Sequence, residues 1–266
     1  QYYGLFQKRM NNFATYSTAG SNGRLGNAMF QIAGTISYAL DTGRDFVFPK
    51  WKYSQWMAKP LPEGNPTIDV KVPVDFNYAP IPQHLGKNVD LFNGHMQCCK
   101  YFAHHWVVIA PYLSLAPRYN YIDKKYKKSI YGKTCSIHVR RTDYDTPVNR
   151  EYHGVMPLEY YHAAASRLYG NDRPKDVLFV ICSDNIGWCK ENFTFPNMLF
   201  VKEIDIFDMN IMAKCKNNII ANSSFSWWAA WLNMNKDKRV VCPKNWFGPA
   251  CPHSSKDVAA EGWIVI

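Results

Sequence analysis

The residues best suited to chemistry lie in one stretch, Cys135-Ser-Ile-His-Val-Arg-Arg-Thr-Asp-Tyr144. Ile137 and Val139 mark a short apolar run that reads as a buried strand, and it ends in Arg140, Arg141 and Asp143, with His138 alternating among the apolar positions. Ligands of an α/β sheet collect at the carboxyl ends of strands. Two adjacent guanidiniums there suit a phosphate, because each planar fork can grip two oxygens. Their competing use is an ion pair with Asp143 or Glu151. Two more apolar runs end in polar residues, one in Ser183 and Asp184, the other in Asn222, Ser223, Ser224 and Ser226. Asp208 stands at an expected helix start, where it can be an N-cap or can accept two N–H bonds from a guanine edge. Capping is likewise the alternative for Ser223 and Ser224. Together these groups suit a nucleoside diphosphate, with the amides of the helix opening near Phe225 helping to hold phosphate.

The elements that position these groups alternate in type. Val177–Cys182, Met198–Val201, 218–221 and Val240–Cys242 read as strands, and 157–169, 186–192, 209–216 and 227–232 as helices. Such alternation predicts a parallel sheet covered on both faces. Upstream, a strand near Phe13–Tyr16 leads through a turn holding Gly20, Gly23 and Gly26 into a helix from Met29 to Leu40. A glycine turn opening a helix can receive an anion or a sugar hydroxyl, but without Gly-Lys-Ser/Thr it is no P-loop. A second strand is expected at Phe46–Phe48. Residues 49–90, rich in proline, predict long surface loops, and a linker is expected between Pro117 and Lys133.

Of 266 residues, 47% are hydrophobic and 20% charged, the balance of a globular protein. The net charge of +10 fits a nucleic-acid binder or an enzyme holding an anionic substrate. The eight cysteines form no Cys-x-x-Cys pair, so a structural zinc site has no support; Cys242 and Cys251 could close a loop in an oxidising compartment. His104 and His105 favour packing over metal, since adjacent side chains diverge. Asn192-Phe-Thr194 is a credible glycosylation site, whereas Asn222-Ser-Ser224 falls in the candidate site. No apolar run is long enough to span a membrane and no signal peptide is visible; an upstream anchor could have been removed.

Four segments resemble one family. Asn22-Gly-Arg-Leu-Gly-Asn-Ala-Met-Phe-Gln31 is similar to the glycine-rich opening of family 11 glycosyltransferases, the α1,2-fucosyltransferases. His138-Val-Arg-Arg-Thr-Asp143 resembles their H-x-R-R-x-D signature, and Ser183-Asp-Asn-Ile-Gly-Trp-Cys189 a further family segment. Asp208 with Asn222-Ser-Ser-Phe-Ser-Trp-Trp-Ala-Ala-Trp-Leu-Asn233 matches a fourth.

The resemblance implies a GT-B-like α/β fold of two Rossmann-like domains with the donor in the cleft between them. The expected division is residues 1–125, on the acceptor side, and 126–266, binding GDP-fucose. It implies an inverting transfer of L-fucose from GDP-fucose to a hydroxyl of a galactose-containing glycan, galactose O2, with no metal or other cofactor and no nucleic-acid partner; the alternative is a non-catalytic sugar- or nucleotide-binding protein of the same fold. Asn22, Arg24, Gly26, Asn27, His138, Arg140, Arg141, Asp184, Asp208, Asn222, Ser223, Ser224 and Phe225 would bind the donor. His138 and Asp208 would read guanine, and Arg140 would stabilise the departing diphosphate. Arg140 and Asp143 are the catalytic candidates; Asp145, Glu151 and His153 are other conceivable bases. Arg24, Ala28 and Asn185 depart from the family pattern and bear on acceptor identity rather than on the donor. A Golgi-lumenal glycoprotein enzyme is the expected setting, with a soluble bacterial or viral enzyme as the alternative.

Overall fold

The computed structural model describes residues 12–119, 121–127, 132–171 and 175–266. Two parallel sheets organise them. The first has the order β2-β1-β4-β3, from β1 (Phe13–Thr15), β2 (Asp45–Phe46), β3 (Val70–Val74) and β4 (Val89–Asn93). The second has the order β10-β9-β8-β5-β6-β7, from β5 (Thr134–Val139), β6 (Leu178–Ser183), β7 (Met198–Val201), β8 (Asn217–Ile219), β9 (Val240–Cys242) and β10 (Ile264–Val265). From β5 the chain winds one way through β6 and β7, then returns to β8 on the other side of β5. That reversal makes a crevice beyond the carboxyl ends of β5 and β8, the place where open α/β sheets bind ligands.

Eight α-helices are described: α1 (Leu25–Asp41), α2 (Trp106–Leu113), α3 (Tyr121–Lys125), α4 (Pro147–His153), α5 (Leu158–Tyr169), α6 (Ile186–Asn192), α7 (Asp205–Lys214) and α8 (Ser224–Trp231). β5 is buried at every residue, as a central parallel strand must be. α1 is apolar on nearly all sides because it packs on the first sheet and also against α8. There Phe30 meets the rings of Trp227 and Trp228 at 4.6 and 4.9 Å, and Phe102 stacks on Trp228 at 5.3 Å. Trp228 Nε1 donates to Gly26 O at 3.0 Å. The two sheets therefore share one apolar core, which fixes the glycine loop against the start of α8.

The structure corrects several expectations. Residues 49–90 are not loops throughout: β3 and the start of β4 lie there, and Pro73 is tolerated because β3 is an edge strand. The linker region contains α3, with residues 120 and 128–131 outside the described set, and α4 is a helix that the sequence pattern did not mark. All eight cysteines are free, Cys242 and Cys251 included. The rings of His104 and His105 do not diverge; they lie 4.4 Å apart because both turn toward the one Asp41 carboxylate.

Candidate donor site

A cavity of about 400 Å³ lies in the crevice, within the ordinary range for a small-ligand site. The strand ends form one wall. His138 and Cys182 pair across β5 and β6, so the two strands end in register and present Arg140 beside Asp184. Arg140 Nη1 is 3.1 Å from Asp184 Oδ2 and Nη2 is 2.6 Å from Asp143 Oδ1. The Asp143 contact lacks hydrogen-bond alignment, since that oxygen has no hydrogen-bond partner. The guanidinium is thus held by charge, with N–H groups left for an incoming anion. Burial pushes the Asp184 carboxyl up, but the Thr142 hydroxyl, Arg140 and the Arg141 amide outweigh it and hold the group below the usual range.

Two helix starts form the opposing surface. Leu25 and Gly26 open α1, and Ser224 and Phe225 open α8. The first intrahelical donors there are Ala28 N and Trp227 N, so the amides just before them are unspent within their helices. A Cβ on Gly26 would stand 2.5 Å from Ser224 C and 2.6 Å from Phe225 N. Only glycine lets the two starts come this close. Ser224 Oγ donates to Asn27 Oδ1 at 2.6 Å, and Ser223 makes no side-chain cap, so capping does not account for Ser223. Two convergent amide clusters facing an arginine suit a diphosphate.

The deeper wall holds His138 and Asp208. His138 is 4% exposed, and its Nδ1 has no hydrogen-bond partner. Burial, helped by Arg140 and opposed by Asp184, pushes its imidazole down to about 3, so the ring is neutral at physiological pH. Asp208 lies in the first turn of α7, accepts from Glu203 N at 2.9 Å, and is not the N-cap, which is Ile204. Burial raises its carboxyl to about 7, against help from that amide. A buried imidazole nitrogen without a partner, beside a desolvated carboxyl that holds one amide bond, suits a polar ligand edge.

Arg24, Gly26, Asn27, His138, Arg140, Asp143, Asp184, Asp208, Ser223, Ser224 and Phe225 all line this one cavity. Asn22, Arg141 and Asn222 do not. Arg141 turns away, its guanidinium 4.1 Å above the Trp188 ring and 2.8 Å from Asp145. Asn22 gives its carbonyl to Gln31 Nε2. Asn222 is buried and donates to the carbonyls of His153, Gly154 and Trp246. Sequence reasoning missed Tyr144, Lys202, Glu203 and Asp205 as lining residues. Lys202 and Glu203 follow the end of β7, so the strand-end rule applied to a fourth strand would have found them. The one group of three His, Cys, Asp or Glu side chains among the described residues with metal-ligand proximity, Asp41, His104 and His105, does not line the cavity.

Parallel sheets with such a crevice belong to the open α/β class, which binds ligands beyond the carboxyl ends of its strands. The sequence profile of glycosyl transferase family 11 matches residues 125–266, and the chain belongs to that family. An O-antigen biosynthesis glycosyltransferase, WbnK, of Escherichia coli is 40% identical over 147 residues, covering 52% of this chain and 47% of that protein. An α-1,2-colitosyltransferase of Escherichia coli is 35% identical, covering 50% and 47%. The galactoside α-(1,2)-fucosyltransferase 2 of Pongo pygmaeus is 24% identical, covering 81% and 68%. The matched chain spans about half the length of the two bacterial relatives. Among solved structures, the NodZ fucosyltransferase from Bradyrhizobium superposes with a TM-score of 0.53 at 16% identity, covering 84% of this chain and 93% of that one. Arabidopsis thaliana FUT1, a mutant in complex with GDP, gives 0.54 at 13%, covering 89% and 71%. These establish a shared fucosyltransferase-type fold, GT-B-like as expected. Among the described residues no helix is long and apolar enough to cross a membrane.

Proposed function

We propose that the protein is an inverting galactoside 2-α-L-fucosyltransferase that moves L-fucose from GDP-fucose to galactose O2 of a glycan. The observation that carries the reading is that Arg140, Ser223 and Ser224 face one cavity with His138 and Asp208 at its deeper wall. In the reading, Asp208 accepts from the guanine edge and the free Nδ1 of His138 meets the base. The helix-start amides and Arg140 hold the diphosphate and stabilise charge as the glycosidic bond breaks. No divalent cation is required, because the guanidinium and amides supply the positive field; activity should withstand EDTA. A second reading puts colitose in place of fucose, on the name of the relative at 35% identity. The same bacterial relatives favour a bacterial or viral setting over the Golgi lumen.

The test is calorimetric titration of GDP, then incubation with GDP-fucose and GDP-colitose over a panel of terminal galactosides, with NMR assignment of the new linkage. Micromolar GDP binding and an α1,2-fucosyl product support the proposal. A chain that does not bind GDP refutes it.

A further inference from the structure

A second cavity, of about 260 Å³, adjoins the first. The two share Asn27, Tyr144, His153 and Ser224. In the second, the rings of Phe76 and His253 stack at 5.1 Å, and Phe247 meets Phe76 edge-on at 4.9 Å. Polar groups come from Asp75, His95 and Gln97. A pyranose needs such a wall: its C–H face packs on rings while its hydroxyls take placed donors and acceptors.

His95 is fixed as a donor. The buried Gln31 gives Nε2 to Asn22 O at 2.9 Å and to His95 Nδ1 at 2.9 Å. Since the carbonyl requires an N–H₂ there, Nδ1 of His95 accepts and its proton sits on Nε2. The backbone around it is strained, with Asn93 at φ 80° and Met96 at φ 51°. Gly94 between them runs so close to Val74 O that no Cβ fits. Strain of this kind clusters at ligand clamps.

His153 stands where the cavities meet. It ends α4, and its ring stacks on Tyr144 at 4.3 Å with an interplanar angle of 5°. Tyr144 in turn lies 5.2 Å below the Arg140 guanidinium. Asn222 Nδ2 anchors the His153 carbonyl at 2.6 Å. Burial holds the imidazole below its ordinary range, with Asp143 opposing and Arg140 reinforcing. The other acids serve worse. Asp145 is held by Arg141 and Arg150, and the Asp143 oxygens each face a guanidinium. Glu151 is exposed and lines neither cavity.

We propose that the second cavity binds the terminal sugar of the acceptor and that His153 takes the proton from its attacking hydroxyl. This rests on the donor reading above. The acceptor oxygen bonds to the anomeric carbon as the bond from that carbon to the phosphate oxygen breaks. The electron pair leaves with the nucleoside diphosphate beside Arg140, and the hydroxyl proton passes to the neutral His153, whose imidazolium faces the Asp143 charge. Asn222 acts through His153, as a positioning residue.

The experiment measures GDP release from GDP-fucose by the full chain, with and without a panel of terminal β-galactosides, beside calorimetric GDP binding for every variant. For His153→Ala, galactoside-stimulated release should fall by about 10²- to 10⁴-fold, with GDP affinity kept within about threefold and activity partly restored by added imidazole. Asn222→Ala should lower kcat without changing GDP affinity, and His253→Ala should raise the galactoside KM. If GDP binds but His153→Ala keeps its rate, or galactosides stimulate nothing in the unaltered protein, the inference is overturned while the donor reading stands. If the unaltered protein fails to bind GDP, the donor reading falls first.

Discussion

Arg24 on the glycine loop places Nη2 3.2 Å from Asp143 Oδ2, while Arg140 approaches the other oxygen of the same carboxylate at 2.6 Å. One acid thus ties the first sheet's loop to the arginine at the end of β5. Arg24 is 68% exposed, so its bond adds little stability and acts mainly on position. Asp143→Asn should therefore leave folding intact and reduce kcat by about tenfold, through a less fixed Arg140. It also removes the charge that raises the His153 imidazole. The acid limb of the pH–rate profile should then move to lower pH, because the base stays unprotonated further down. Complete loss of transfer, with no acid limb left to shift, would instead make Asp143 itself the proton acceptor.

Arg140 can be removed without orphaning its partners. Asp184 retains the Thr142 hydroxyl and the Arg141 amide, and Asp143 retains Arg24. Arg140→Ala should accordingly melt within a few degrees of the unaltered protein. Its transfer rate should fall by about 10²- to 10³-fold, the usual loss of one preorganised donor at a developing anion. Arg140→Lys keeps the charge but not the fork and should lie between the two. Near-normal turnover in either variant would refute a phosphate role.

With guanine seated on Asp208, nucleotide affinity should depend on pH. Its folded value, raised by burial to about 7, exceeds the unfolded value near 3.8. Between those values the folded protein holds a proton that the unfolded chain has lost, so this group's effect on stability worsens as pH rises through the window and reaches full cost above 7. Asp208→Asn should stabilise the free protein at pH 8 by on the order of 2 kcal/mol. A guanine edge needs the ionised acid, so affinity for GDP-fucose should drop as pH falls from 8 to 6. In Asp208→Asn it should be weak and level across that range. His138 stays neutral throughout and contributes no slope. Equal affinity at both pH values in the unaltered protein would separate Asp208 from the nucleotide.

The second sheet was legible because β6 and β9 read as nearly unbroken apolar runs, Ile137 and Val139 mark β5 although Ser136 and His138 alternate with them, and polar residues follow the runs that end at Val139, Cys182 and Ala221. The first sheet was less so. β1 and β2 fall at the short apolar segments that the sequence marks around Phe13–Tyr16 and Phe46–Phe48, whereas β3 carries Lys71 and Pro73 on an edge, so neither period nor propensity marks it. α4 buries no residue and has no apolar face to detect, although Thr146 before Pro147 is a readable helix start. The three site residues that fall outside the cavity fail for local reasons. Arg141 follows Arg140, and the alternation of an extended chain sends it to the other side. Asn22 and Asn222 spend polar groups on backbone partners that no spacing rule could name.

The closeness of α1 and α8 at Gly26 gives a last prediction, one that separates steric cost from backbone strain. A methyl at Gly26 meets the Ser224 carbonyl carbon and the Phe225 nitrogen, which are backbone atoms and cannot rotate away. The helix starts must part by several tenths of an ångström, stretching Trp228 Nε1 to Gly26 O and Ser224 Oγ to Asn27 Oδ1. Gly26→Ala should cost about 1–3 kcal/mol. It should also weaken GDP binding by at least about tenfold, because the anion-facing amides move with the helices. Gly43→Ala is the control. Its φ of 66° carries a backbone penalty of about 1–2 kcal/mol, yet a Cβ there meets nothing within 4 Å, and it lies off the cavity. Comparable melting losses with GDP affinity reduced only in Gly26→Ala would show that the glycine serves the nucleotide as well as the fold; unchanged affinity in both would leave it a packing requirement alone.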